Sequence, residues 1–212
     1  MQRESMLYGS KLVLGSLLLL SFSQIGHAQE HVKWHVTIAA GQAEAQGNDQ
    51  DFIAQLPSSA SLISSDYSDS SLGFTVGYSV TDSLIAEIGY QDLGEGSASY
   101  SVESVNPETL FSELVGLQPI LASGVTLGAS YAFIENEQWS FSVNGGLFAW
   151  ESDLESQSAT QVFRSSEDGS DLYFGLAAGL KLNKHWTLGV GYRSYQLDES
   201  ISDLHATLSY RF

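Results

Sequence analysis

Polar and apolar residues alternate along eight stretches of this chain. The clearest is the last. Leu204, Ala206, Leu208, Tyr210 and Phe212 are apolar, and His205, Thr207, Ser209 and Arg211 between them are polar. A period of two marks a strand with one apolar and one polar face. The same pattern predicts strands over 33–42, 71–81, 84–93, 124–134, 138–150, 171–182, 186–195 and 203–212. Tight turns are expected at Thr81-Asp82-Ser83, Glu135-Asn136-Glu137 and Asn183-Lys184-His185. Long polar segments fill the other connections, up to Ser70, from Gly94 to Ser123 and from Glu151 to Ser170, with a shorter acidic loop before the last strand.

An even number of strands with connections alternating long and short predicts an all-β fold, an eight-stranded antiparallel transmembrane β-barrel of up-and-down topology. Each strand is close to the ~9–11 residues that a tilted crossing needs. A soluble barrel with an apolar interior would show the same alternation. Three features favour the membrane. The polar face is mostly Gly, Ser and Thr, too small and too mixed for a solvated exterior. The apolar face carries almost no charge at the strand centres. Trp34, Tyr90, Tyr131, Trp139, Trp186, Tyr192 and Tyr210 fall toward strand ends, where a headgroup region would hold them.

The first residues agree. Arg3 and Lys11 precede an apolar run from Leu12 to Phe22, and Gly26-His27-Ala28 supplies small residues at a cleavage site. The pattern is that of a secretory signal peptide cut after Ala28. The run is short for the ~20 residues of a spanning anchor helix. The expected organisation is therefore a signal peptide, 1–28, and one barrel domain, 29–212. An exported chain that enters a membrane without a spanning helix does so as a barrel.

These stretches resemble the transmembrane domain of OmpA-type outer-membrane proteins and the related small barrels of the OmpX and Ail type. The matching segments are LGFTVGYSVTDSLIAEIGYQDLG, NGGLFAW, YFGLAAGLKL and LHATLSYRF. The resemblance implies a bacterial outer-membrane location, both termini in the periplasm, and a carboxyl-terminal signal for the barrel-insertion machinery at Tyr210 and Phe212. The family's linker and peptidoglycan-binding domain have no counterpart after Phe212, so a cell-wall tether is not carried over.

Charge narrows the function classes. There are 25 acidic residues against 8 Lys and Arg, a net charge of −17, and no cysteine. Nucleic acid, which needs a basic face, is excluded as a partner. Thiolate metal sites and disulfides are excluded as well. Most acids fall in the four long connections and their rims, against the single base Arg164. The bland reading is a solvated surface. The sharper one is a contact with lipopolysaccharide phosphates through divalent cations, which prefer carboxylate oxygens, or with a basic partner. No segment has the spacing of a calcium loop.

Alternation turns His35, Glu87, Asn144, Tyr173, Lys181, Arg193, Tyr195, His205 and Arg211 into the lumen. Buried charges must pair. Glu87 is expected to be the deep acid, with Lys181 and Arg193 as its partners, either as a rigid plug or as the gate of a narrow pore. Residues 106–115, with Asn106 and Pro107 leading Leu110, Phe111, Leu114 and Val115, predict a short amphipathic helix in the second long connection. That helix, and Phe52, Ile53 and Leu56 in the first connection, would pack on the rim or meet a surface partner. Enzyme motifs are absent. One cluster warrants weighing for catalysis: His205 near Ser200, Ser202, Glu199 and Asp203. The expectation is a monomeric, non-enzymatic barrel with no cofactor and no metal, serving envelope integrity and surface properties. A gated pore and a surface adhesin acting through the first two loops are the alternatives.

Overall fold

The computed structural model describes residues 33–47, 60–102, 121–157, 162–197 and 199–212. Ala28 and the expected signal segment, Phe52, Ile53 and Leu56, and the expected helix at 106–115 lie outside the described residues.

Ten strands are described: β1 (Trp34–Ala45), β2 (Ala60–Asp66), β3 (Ser68–Ser79), β4 (Leu84–Asp92), β5 (Ser97–Val102), β6 (Ser123–Glu135), β7 (Trp139–Gln157), β8 (Val162–Lys181), β9 (Trp186–Gln196) and β10 (Ser200–Arg211). Eight of them close into one barrel in the order β1-β10-β9-β8-β7-β6-β4-β3. Every pairing is antiparallel, and β1 meets β10 to close the ring. These eight are the expected strands. The remaining two, β2 and β5, form a separate two-stranded sheet from the first two long connections, where only polar loop was expected. The third connection also differs from expectation. β7 and β8 stay paired out to Gln157 and Val162, well past the last β6 partner at Glu151 and the last β9 partner at Tyr173. The result is a two-stranded ribbon standing above the rim.

The three short turns share one device. Thr81 Oγ1 accepts from the Leu84 amide at 3.0 Å, Asn136 Oδ1 from Trp139 at 2.7 Å, and Asn183 Oδ1 from Trp186 at 2.9 Å. A short polar side chain that bonds backbone amides two or three residues on holds the chain in a turn.

The apolar face points outward. Leu72, Leu127, Leu172, Leu176, Val190 and Leu204 are each 59–66 % exposed. No water-facing monomer surface carries so wide an apolar belt, whereas a barrel in lipid requires one. Aromatic rings edge the belt at the short-turn end. Trp34 packs on Tyr78 at 5.0 Å, Trp186 on Tyr210 at 4.8 Å, and Tyr210 on Phe212 at 5.1 Å between ring centroids.

The hydrophobic core sits inside the barrel, in its long-loop half. Ala43, Ala45, Leu93, Leu121, Ala122, Phe148, Trp150, Tyr173, Tyr195, Leu197 and Ile201 are buried together, and Tyr67 packs against them. Those that lie in barrel strands have the parity of the lumen face. The lumen is therefore polar only in part.

The lumen and the rim as candidate functional sites

Below the apolar layer the interior becomes polar. Asp203 on β10 is fully buried and holds two hydrogen bonds. Ser71 Oγ donates to Oδ1 at 2.5 Å, and His205 Nδ1 lies 2.8 Å from Oδ2. The Ser71 bond reaches from β3 to β10 across β1. Gly41 on β1 is a position of close approach, because a Cβ there would come within 2.6 Å of the His205 Cβ on β10. Asp203 is thus a second deep acid, where the expectation named Glu87. Counting alternation from Leu204 back by one would have placed Asp203 inside.

The seam between the first and last strands is stitched by side chains as well as by backbone. Thr37 and Ser209 share a hydroxyl bond of 2.8 Å, Arg211 Nε donates to His35 Nε2 at 2.9 Å, and Ser202 Oγ donates to the Glu44 carbonyl at 3.3 Å. His185 Nδ1 lies 2.8 Å from the Arg211 carbonyl and its ring stacks on Tyr210. The Phe212 amide donates to the Trp34 carbonyl at 3.2 Å. Tyr210 and Phe212 thus end the chain at the closing seam.

Glu87 and Arg193 face the lumen and feel each other's charge, yet no direct ion pair joins them among the described residues. The Arg193 guanidinium lies over the Tyr173 ring at 5.6 Å. Lys181 is engaged elsewhere. Its Nζ donates to Glu135 Oε1 at 2.6 Å and to the Asn136 carbonyl at 2.9 Å, at the short-turn mouth. The expected Glu87–Lys181 partnership is replaced by this pair, because Lys181 is the last residue of β8 and Glu135 the last of β6.

The cluster weighed for catalysis does not assemble. His205 is buried against Asp203, Ser202 bonds a backbone carbonyl, and Ser71, a serine from outside that cluster which reaches Asp203, donates to the carboxylate and not to the imidazole. A serine nucleophile needs the base beside its own hydroxyl. Among the described residues no three His, Asp or Glu side chains gather closely enough to hold a metal ion.

At the long-loop rim, Asp69 accepts from the Ser70 amide at 2.6 Å and from the Glu95 amide at 3.0 Å, tying the first connection to the second. Gly94 sits between with φ of 86°, a left-handed conformation suited to glycine. The ribbon above the rim is acidic: Glu151 faces Asp168 across it, and Ser152 faces Glu167.

A closed antiparallel barrel with a lipid-facing belt and a sequence match over nearly its whole length decides the family. Residues 14–212 match the outer membrane protein beta-barrel domain. The chain belongs to that family. It is an outer-membrane β-barrel protein of a bacterial envelope. No curated protein gives a significant match. Among solved structures, the barrel is similar to Neisserial surface protein A (15 % identity, 84 % of this chain and 97 % of that one, TM-score 0.51). It is also similar to the N-terminal barrel domain of OprF from Pseudomonas aeruginosa (11 %, 86 % and 100 %, TM-score 0.49) and to Ail of Yersinia pestis (15 %, 85 % and 99 %, TM-score 0.47). At these identities the likeness is one of fold.

Proposed function

We propose that this protein is a non-enzymatic wall element of the outer membrane, closed at rest, which contributes to envelope integrity and presents an acidic surface to the medium. The observation that carries the reading is the packing of the lumen. Phe148, Tyr195, Leu93 and Ile201 are fully buried under the long-loop mouth and form an apolar layer there. A gated pore would have to displace this layer, and switching Glu87 between partners would not suffice. In this reading the signal segment is removed after Ala28, and Tyr210 and Phe212 present the insertion signal. The short turns and both termini face the periplasm, and the barrel acts as a monomer. The acidic ribbon and rim then face lipopolysaccharide, with divalent cations between the two sets of negative groups.

The test is deletion of the gene in its native host. Uptake of an apolar fluorescent dye should rise, and so should sensitivity to large antibiotics. Wild-type protein should restore the barrier. A barrel in which Glu151, Glu167 and Asp168 are replaced by Ser should restore it less well, with added Mg²⁺ closing less of the gap. An intact barrier in the deletion strain would refute the role. An altered lipid A mass spectrum in that strain would refute its non-enzymatic character.

A further inference from the structure

The bases of this acidic chain are not scattered. Arg3 and Lys11 apart, six Lys and Arg remain, and four of them, Lys33, Lys181, Lys184 and Arg211, stand at the short-turn end. Lys181 is taken up by Glu135. The other three share one side of the ring. Lys184 lies in the turn between β8 and β9, β10 ends at Arg211, and β1 begins beside Lys33. In the barrel, β9, β10 and β1 are consecutive neighbours. No salt bridge holds Lys33, Lys184 or Arg211 among the described residues. The acids of this end are Asp82, in the next turn beyond Lys33, Glu135 and Glu137, in the turn between β6 and β7, and the terminal carboxylate of Phe212.

Three strand ends line up on the basic side. Trp186 is the register partner of Tyr210, and the Arg211 amide donates to the His185 carbonyl. On the other flank the Phe212 amide donates to the Trp34 carbonyl. Lys184 and His185, Arg211 and Phe212, and Lys33 and Trp34 thus lie side by side across two strand spacings, about 10 Å. Alternation would turn Lys33 inward. Its Nζ instead lies 5.9 Å from the centroid of the outward Tyr78 ring. The ammonium group is therefore on the outer surface at the edge of the lipid belt, where a snorkelling lysine sits. Lys184 is exposed in its turn, and so is His185. The His185 Nδ1–H donates to the Arg211 carbonyl at 2.8 Å, and its ring stacks on Tyr210. Between the two lysines run the rings of the aromatic edge: Trp34 on Tyr78, and Trp186 on Tyr210 on Phe212.

We propose that this edge binds the headgroup of one anionic phospholipid. The phosphodiester would accept from Lys33 Nζ and Lys184 Nζ. The acyl chains would run down the belt over Ile38, Leu208 and Leu188, which are register partners on β1, β10 and β9. Tyr and Trp rings hold the level of the headgroups, and bases facing a leaflet draw anionic lipid to it. A headgroup that also carries an ammonium gains less, because that group would lie among like charges. The long-loop rim repels the same lipid through the exposed Glu44, Asp92 and Glu151, so charge selects one end of the barrel. In the orientation proposed above, that end meets the phospholipid leaflet on the periplasmic side.

The test reads tryptophan quenching in vesicles. Trp139→Phe removes the belt tryptophan of another turn, and Trp150 is buried in the lumen, so Trp34 and Trp186 report the site. Brominated phosphatidylglycerol is compared with brominated phosphatidylcholine at the same fraction of a phosphatidylcholine bilayer. Each base at an anionic surface is worth about fivefold in affinity, so two give about twenty-five-fold. At about a fifth of the lipid, the anionic species should then quench about four times as strongly as its zwitterionic counterpart. Lys33→Gln combined with Lys184→Gln should bring the two lipids level, while Glu137→Gln should change nothing. Should the double variant fail the heat-sensitive gel shift of a folded barrel, Lys184→Gln alone should cut the preference about fivefold. Equal quenching by the two lipids before any lysine is changed, or a preference that survives the loss of both lysines, overturns the site. The vesicles hold the same lipid in both leaflets and no lipopolysaccharide, so either of those results leaves the wall function and the orientation untouched.

Discussion

Truncating Phe148 to alanine tests whether the long-loop half of the lumen is a true packed core. Phe148 has no exposure, and its ring lies 4.9 Å from that of Tyr195. Phe→Ala in a packed interior costs about 3–5 kcal/mol, as lost transfer energy plus the cavity left behind. The aromatic pair accounts for about 0.5–1.5 kcal/mol of that. With a urea slope of about 2 kcal/mol per M, the unfolding midpoint should fall by roughly 1.5–2.5 M. Reversible unfolding in lipid vesicles, followed by tryptophan fluorescence, reads it directly, because Trp150 belongs to the same layer. A loss below about 1 kcal/mol would mean that water already fills the site, a wet surface being able to lose a ring cheaply. The packed-core argument would then fail.

Three further outcomes follow from the same structure. Ile88→Arg, on the lipid face at 54 % exposure, should cost about 2–4 kcal/mol if the position lies near the bilayer midplane, measured by the same titration. At the seam, Ser71→Ala should cost about 1 kcal/mol, while Asp203→Ala, which strands the groups bonded to a charged acceptor, should cost about 1.5–3 kcal/mol; equal losses would show that the carboxylate is not the hub. Desolvation in the last loop pushes the largely exposed Glu199 carboxyl above its usual range. An acid raised in the folded state penalises folding at neutral pH, and the penalty disappears as pH falls through the folded pKa toward the unfolded one. Glu199→Gln should therefore raise the urea midpoint at pH 7 and leave it unchanged at pH 3; a gain at both would assign the effect to packing.

Alternation made the barrel legible because the strand centres largely obey it: Leu84, Ala86, Ile88 and Tyr90 face out, with Glu87 and Gly89 between them. It failed where strands leave the membrane. Above the lipid, apolar residues are no longer confined to the outer face, so Phe148 and Trp150 are buried inside while Leu147 lies exposed outside. Read as one run, Leu147-Phe148-Ala149-Trp150 looks like a strand end, although it marks where the interior turns apolar. The sheet of β2 and β5 was hidden for a different reason. ASLISSD and SASYSV are short and rich in serine, and their pairing joins segments that the sequence keeps far apart. The site was the least legible part. Parity placed Glu87, Arg193 and Lys181 on one face, but only height along the barrel shows that Lys181 ends at the short-turn mouth with Glu135. The lie of Arg193 over the Tyr173 ring and the full burial of Tyr195 depend on side-chain directions that no sequence pattern carries.

The central claim is that the barrel is closed by the apolar layer of its own lumen. Electrical recording of the refolded wild-type protein in a planar bilayer tests it most directly, with folding verified by the gel shift. The account predicts a silent membrane for wild type and for Glu87→Ala alike. Discrete, reproducible openings in wild type, altered by Glu87→Ala, would contradict it and restore the gated pore.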